Sequence, residues 1–89
     1  MEYHYPIDLD WSTDEVINVI EFFRVVETAY EKGIKSKDVL TNYKNFKQVV
    51  PSKAEEKSLF KQFEKHSGYV PYKVVQAAKK LDEQETVSM

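Results

Sequence analysis

The chain has 89 residues, a net charge of −2, two glycines and no cysteine. This length corresponds to one domain, and the 42% hydrophobic content is that of a chain that folds around a core. The lack of cysteine excludes disulfides, thiolate zinc sites and thiol catalysis. No apolar run reaches the roughly 20 residues that span a bilayer, and the first residues do not resemble a signal peptide. We therefore expect a cytoplasmic protein that does not associate with a membrane.

Charge is distributed unevenly along the chain. Residues 1–31 carry eight acidic side chains and one arginine, for a balance of −7, whereas residues 32–80 have a balance of +8. The last nine residues add −3. Two interpretations remain open: the basic part binds an anionic partner, or the two parts attract each other within the fold.

The first predicted helix follows an N-terminal arm, residues 1–11, for which Pro6 favours an extended conformation. Ser12 and Glu15 form a Ser-x-x-Glu capping box, and Gly33 is a typical helix stop. The apolar arc of this helix covers more than half of its circumference, which is wide for a small domain. The helix is therefore either central, packed from two sides, or it faces a second copy in a homodimer.

Three further helices are marked by the same kinds of start and stop residues. The predicted bounds are Ser36 to Val50, Ser52 to Gly68 with Glu55 completing a second capping box, and a start near Pro71. Residues 83–89 are expected to fray. The predicted fold class is all-α, a single domain over residues 1–89. Its architecture is a small bundle of three main helices plus a short fourth helix, with an N-terminal extended arm.

The acidic segment before the first helix matches a calcium-binding loop only in part. Four side chains fall at ligand positions of that template: Asp8, Asp10, Ser12 and Asp14. The template requires glycine where Thr13 stands and a bidentate glutamate where Val19 stands. Helix capping explains the segment more simply, so we expect no metal site.

Catalytic and cofactor-binding patterns are missing from the sequence. His4 and His66 have no second ligand at a metal-binding spacing, and no Gly-x-Ser-x-Gly motif is present. Two glycines are too few for a phosphate-binding loop. Ser12, Ser36 and Ser52 are interpreted as helix N-caps rather than nucleophiles. We therefore expect no catalytic, cofactor-binding or metal-binding residue, no cofactor, and a protein that is not an enzyme.

Aromatic side chains form the first candidate binding surface. Tyr3, Tyr5 and Trp11 lie in the arm, and Tyr69 and Tyr72 lie in the turn before the fourth helix. Tyrosine and tryptophan are enriched at protein interfaces, but they also cover the edges of cores. These five residues are therefore candidates either for partner contact or for capping the core.

A lysine stripe on the third helix forms the second candidate surface: Lys53, Lys57, Lys61 and Lys65 recur every four residues. Such a stripe can contact the phosphates of RNA or another polyanion, or it can simply be a solvated face. The chain has a single arginine and an acidic balance, neither of which is typical of a nucleic-acid-binding protein. Nucleic acid is thus the less favoured partner.

Four short segments of the chain resemble a known protein family. They are Tyr-Pro-Ile-Asp at residues 5–8, Asp-Trp-Ser-Thr at 10–13, Phe-Lys-Gln-Val-Val-Pro-Ser-Lys-Ala-Glu-Glu-Lys at 46–57, and Ser-Gly-Tyr at 67–69. In this order they resemble the YktA-like uncharacterised protein family (family 0223) of Bacillus-type Gram-positive bacteria, over about residues 3–81. The resemblance implies a compact helical fold and a cytosolic protein. It implies no activity and no binding residue, because the family has no assigned function.

The leading functional hypothesis is a non-enzymatic protein-interaction module that binds an unidentified protein through its aromatic residues. A homodimer across the first helix is one form of this hypothesis, since it accounts for the wide apolar arc. The alternative is weak binding of RNA or another polyanion through the lysine stripe.

Overall fold

The structure is a computed structural model that describes residues 5–89. Its elements in chain order are α1 (Thr13–Glu31), β1 (Ile34–Lys35), α2 (Ser36–Val49), α3 (Lys53–Ser67), α4 (Pro71–Lys79) and β2 (Thr86–Val87). Four helices account for most of the chain, and the two short strands form one small antiparallel sheet. The predicted all-α class, with three main helices and a shorter fourth, is confirmed.

Both predicted ends of the first helix are present in the structure. The Ser12 hydroxyl accepts a hydrogen bond from the Glu15 backbone N–H at 3.2 Å, and the Glu15 carboxylate accepts one from the Ser12 N–H at 2.8 Å. These two bonds are the reciprocal pair of a capping box. After the helix, Gly33 has φ +88° and donates its N–H to the Thr28 carbonyl at 2.8 Å. Glycine suits this position because other residues are strained at positive φ.

Helix α1 is the central element of the core. Five of its side chains are fully buried, namely Val19, Phe22, Phe23, Val26 and Ala29, and Val25 is 8% exposed. The ring of Phe22 lies 4.9 Å from that of Phe46 on α2, and the ring of Phe23 lies 4.6 Å from that of Phe63 on α3. Since α1 packs against both α2 and α3, most of its wide apolar arc is buried within one chain, and Val16 and Ile20 are half-buried. This packing removes the structural reason for a homodimer across α1.

We therefore expect the purified protein to be a monomer of 10.5 kDa. Ile17 is the large apolar side chain of α1 that is half exposed. One such side chain offers far less area than a stable dimer interface buries. Size-exclusion chromatography with light scattering at increasing concentration measures the mass directly. A mass that rises towards twice this value would contradict the expectation and support the homodimer hypothesis.

The starts and stops of α2, α3 and α4 agree closely with the predicted boundaries. Helix α2 ends at Val49, one residue before the predicted end. The Ser52 hydroxyl accepts a hydrogen bond from the Glu55 N–H at 3.3 Å, so Ser52 is the N-cap of α3 as predicted, but this is one half of the predicted capping box. Gly68 ends α3 in the left-handed conformation with φ +80°, and Pro71 occupies the first turn of α4.

The C-terminal tail was expected to fray, and this prediction is wrong. Strand β2 pairs antiparallel with β1, with Ile34 opposite Val87. The Val87 side chain is only 1% exposed, and the Met89 backbone N–H donates to the Ala29 carbonyl at 3.1 Å. The tail is held because burial of Val87 and the backbone hydrogen bonds together oppose the entropy of the free chain.

Ser36 was predicted to be the N-cap of the second helix, and this prediction is also wrong. The N-cap is Lys35, which makes no side-chain cap hydrogen bond, and Ser36 is the first helical residue. Its buried hydroxyl donates instead to the Ala78 carbonyl at 2.7 Å, and its N–H donates to the Glu85 carbonyl at 2.8 Å. Carbonyls in the last turn of a helix lack intrahelical partners, so Ser36 ties the start of α2 to the end of α4.

Replacing Ser36 with alanine is expected to lower the free energy of unfolding by about 1 kcal/mol, because one buried hydrogen bond is lost. Urea denaturation followed by far-ultraviolet circular dichroism measures this change. Ser58→Ala is the matched control, since Ser58 is exposed on α3, and it should leave the stability unchanged or slightly higher. Equal stability of Ser36→Ala and Ser58→Ala would show that the hydrogen bond to Ala78 contributes nothing.

Candidate binding groove between α3 and α4

A groove of about 970 Å³ lies between α3 and α4. We call it the α3–α4 groove and define it by Lys53, Lys57 and Lys61 of α3 together with Tyr72 and Lys79 of α4. It brings residues of both candidate surfaces, the aromatic one and the lysine stripe, to one place.

Three of the four lysines of the predicted stripe form one rim of the groove. Lys53, Lys57 and Lys61 are exposed, and successive members are separated by about 6 Å along α3, since each residue of a helix rises about 1.5 Å. Lys65 is also exposed on α3 but does not line the groove. The stripe is therefore divided by the fold into groove lysines and one outlying lysine.

Lys79 supplies a positive charge from the opposite rim. Its ammonium nitrogen lies 5.9 Å from the centre of the Tyr43 ring, within the range of a cation–π contact. Tyr43 belongs to α2 and also lines the groove. This contact holds Lys79 of α4 over the groove, across from the lysines of α3.

The one strongly buried charge in the groove wall is already neutralised. Glu56 is 9% exposed, and its carboxylate accepts hydrogen bonds from the Lys47 ammonium at 2.5 Å and the Tyr43 hydroxyl at 2.9 Å. Burial, together with the hydrogen bond to Glu56, raises the pKa of Tyr43 to about 12, so the phenol stays protonated and keeps donating. No local sequence pattern indicates this network, because Lys47 and Glu56 belong to different helices.

Tyr72 is a large aromatic side chain that lines the groove and is exposed to solvent. It is 60% exposed, whereas its neighbours Pro71 and Val75 are buried and form part of the groove floor. Val70, at the start of α4, lines the same end and is half-buried. The groove thus combines an aliphatic floor, an exposed aromatic ring and a basic rim.

The other predicted aromatic contacts are used by the fold. Tyr5 stacks against Phe23 at 6.4 Å, and its hydroxyl donates to Glu27 at 2.6 Å. Tyr69 stacks on Tyr30 at 4.5 Å, and Trp11 is half-buried against the core. This packing favours the core-capping interpretation for Tyr5, Trp11 and Tyr69. Tyr3 lies outside the described residues.

A half-buried carboxylate anchors the arm to α1. Burial raises the pKa of Glu27, and the hydrogen bond donated by Tyr5 partly offsets that effect. Among residues 5–89, the second carboxylate oxygen of Glu27 is buried without a hydrogen-bond partner. Repulsion from Glu31 adds to the rise in the pKa of Glu27, whereas the positive charge of Arg24 opposes it.

The acidic segment before α1 is explained by a turn and a helix cap. The Asp8 carboxylate accepts a hydrogen bond from the Asp10 N–H at 2.9 Å, directly before the capping box. Within the described part of the chain, no group of three or more histidine, aspartate or glutamate side chains is placed to hold a metal ion. His66 is exposed at the end of α3, and His4 falls outside the described residues.

No helix between residues 5 and 89 combines the length and apolar character needed to cross a membrane.

These features define a small all-α protein with a basic, aromatic groove on one side. The model of an uncharacterised protein family, UPF0223, matches residues 2–87, so the chain belongs to that family. A family member from Bacillus pumilus is 54% identical over 89 residues, covering 100% of both chains. A member from Staphylococcus epidermidis is 58% identical over 80 residues, covering 90% of this chain and 87% of its own. The resemblance noted in the sequence is thereby confirmed, and the family carries no named function.

Proposed function

We propose that this chain is a cytosolic, non-enzymatic protein-interaction module whose binding surface is the α3–α4 groove. The observation that carries the proposal is Tyr72, a large aromatic side chain that is 60% exposed beside a rim of lysines. Aromatic residues with an apolar body and a polar tip are enriched among the residues that dominate binding energy at interfaces. A partner that covers Tyr72 removes its ring from water.

The polar groups of the groove wall favour binding over chemistry. Glu56 is fully engaged with Lys47 and Tyr43, so a partner that covers it does not strand an unpaired charge. General acid–base catalysis requires a group whose pKa lies near the working pH. Tyr43 has a pKa of about 12, far from that range, and therefore supports a structural role for this network.

Polyanion binding through the lysine stripe is the second candidate. Its supporting observation is that Lys53, Lys57, Lys61 and Lys65 are all exposed on α3. This candidate predicts that the four lysines contribute in similar measure, since phosphate contacts of surface lysines are electrostatic. The groove proposal predicts instead that Lys65 is dispensable, because it does not line the groove.

Affinity capture with the tagged protein tests the proposal, using extract from a Bacillus or Staphylococcus that carries a relative. Wild type is compared with Tyr72→Ala and with Lys57→Glu, and Lys65→Glu is the matched control, since it makes the same charge change on the same helix. We expect one partner, identified by mass spectrometry, to be retained by wild type and Lys65→Glu and lost with both groove variants. A partner lost equally with Lys65→Glu, or removed by nuclease, would support polyanion binding and contradict the groove.

A further inference from the structure

We propose that the occupant of the α3–α4 groove is an acidic amphipathic helix of a partner protein. Its carboxylates face the lysine rim, and its apolar side chains rest on the groove floor beside Tyr72. This inference rests on the proposed function and adds the chemical class of the partner. It is carried by three features of the groove: its charge, the spacing of its lysines and its apolar floor.

The groove is positively charged even though the chain as a whole is acidic. Four lysines line it, three from α3 and one from α4, against the carboxylates of Glu56 and Glu64. Since Glu56 is neutralised by Lys47, Glu64 is the acid left to oppose the four lysines of the lining. A partner of opposite charge gains from this field, mainly through faster association and rejection of basic competitors.

The spacing of the rim lysines favours a helical partner. Lys53, Lys57 and Lys61 are four residues apart, so their positions repeat about every 6 Å along α3. Acidic residues four apart on a partner helix repeat with the same period. If that helix lies beside α3, each of its acidic residues therefore faces one lysine of the rim. The same partner helix presents apolar residues three and four apart on its adjoining face.

The floor of the groove accounts for the amphipathic character of the partner. Pro71 and Val75 are already buried, so the apolar area that a partner can cover comes from the half-buried Val70 and from Tyr72, which is 60% exposed. Leucine or phenylalanine side chains of a partner remove the Tyr72 ring and Val70 from water, which charge pairing alone does not do. Surface ion pairs contribute only about 0–1 kcal/mol each, so the apolar contact supplies most of the affinity.

A peptide fits this groove better than a nucleic acid does. A single-stranded nucleic acid carries one phosphate per nucleotide, and Glu64 repels a phosphate that comes near it, whereas a helix can place a neutral residue opposite Glu64. The only arginine of the chain, Arg24, lies on α1 next to Glu21 and does not line the groove. The bidentate contact that arginine makes with phosphate is therefore missing from this site.

Titration with designed peptides tests the inference. The chain has no cysteine, so Gln76→Cys in the groove wall accepts a single environment-sensitive fluorophore. The probe is a capped helical peptide of about 16 residues, with glutamate every four residues and leucine on the adjoining face. One control peptide replaces its glutamates with glutamine, a second scrambles the leucine positions, and a third titrant is single-stranded oligouridylate.

We expect saturable binding of the acidic peptide, weakened about tenfold by Lys57→Glu/Lys61→Glu and unchanged by Lys65→Glu. Tyr72→Ala should weaken it as well, whereas both control peptides and the RNA should bind less tightly than the probe. Equal binding of the glutamine or scrambled peptide, tighter binding of the RNA, or no binding of the probe would overturn the inference. If cellular capture still depends on the groove in that case, the proposed function stands and only the partner class is wrong.

Discussion

Replacing Phe23 with alanine is expected to lower the free energy of unfolding by about 3–5 kcal/mol. Phe23 is fully buried on the central helix, and its ring contacts the rings of Phe22, Phe46, Phe60 and Phe63 at 4.6–6.2 Å. Alanine leaves a cavity at the point where α1, α2 and α3 meet. Because small domains are stable by only about 5–15 kcal/mol, a loss of this size removes much of the total.

Urea denaturation monitored by circular dichroism measures the Phe23→Ala effect, with Phe23→Leu as a milder variant in case the alanine variant does not fold. Ile17→Ala is the matched control on the same helix, because Ile17 is half exposed. We expect the control to change stability by less than about 0.5 kcal/mol. Equal effects at the two positions would contradict the placement of α1 at the centre of the core.

Replacing Val87 with aspartate is expected to have the second largest effect, lowering the free energy of unfolding by about 3 kcal/mol or more. The side chain at this position is 1% exposed, so the substitution places a charge in an apolar site without a partner. It also disrupts the pairing of β2 with β1, where Val87 lies opposite Ile34. The thermal midpoint, followed by circular dichroism, reports the loss.

Ser88→Asp is the control for the Val87 substitution, since it adds the same charge at an exposed neighbouring position. We expect this control to melt at nearly the same temperature as the wild type. If Val87→Asp also melts like the wild type, the tail is not part of the folded domain. That result would support the prediction from sequence that residues 83–89 are frayed.

The helical framework could be predicted from sequence because local residues determine it. Ser12 and Glu15 cap α1, Ser52 caps α3, and Gly68 ends α3, each through bonds to backbone groups within four residues. Such interactions depend on short spacings that the sequence displays directly. The same holds for Pro71, whose fixed φ angle suits the first turn of a helix.

The features that the sequence did not predict depend on residues distant along the chain. Strand β2 is two residues long and pairs with β1, which is separated from it by three helices. A pair of residues is too short to show the alternation by which strands are recognised. Ser36 has the residue type and position of an N-cap, but the Ala78 carbonyl, 42 residues away, takes its hydroxyl instead.

The candidate site could be predicted only in part for the same reason. Helical spacing was enough to place Lys53, Lys57 and Lys61 on one exposed face. Whether a tyrosine covers the core or faces solvent depends on which rings lie near it in three dimensions. Tyr5 stacks against Phe23 and Phe63, whereas Tyr72 lines the open groove. The residues next to each tyrosine in the sequence do not predict this difference.

Backbone amide chemical shifts, recorded as the acidic peptide is added to the labelled wild-type protein, test most directly that this groove is the binding surface. If the peptide binds in the groove, the largest changes will cluster at Lys57, Lys61, Tyr72 and Gln76, with little change at Ile17 on α1. Changes centred instead on the exposed side of α1 or on the segment of residues 7–10, with the groove residues unmoved, would contradict it.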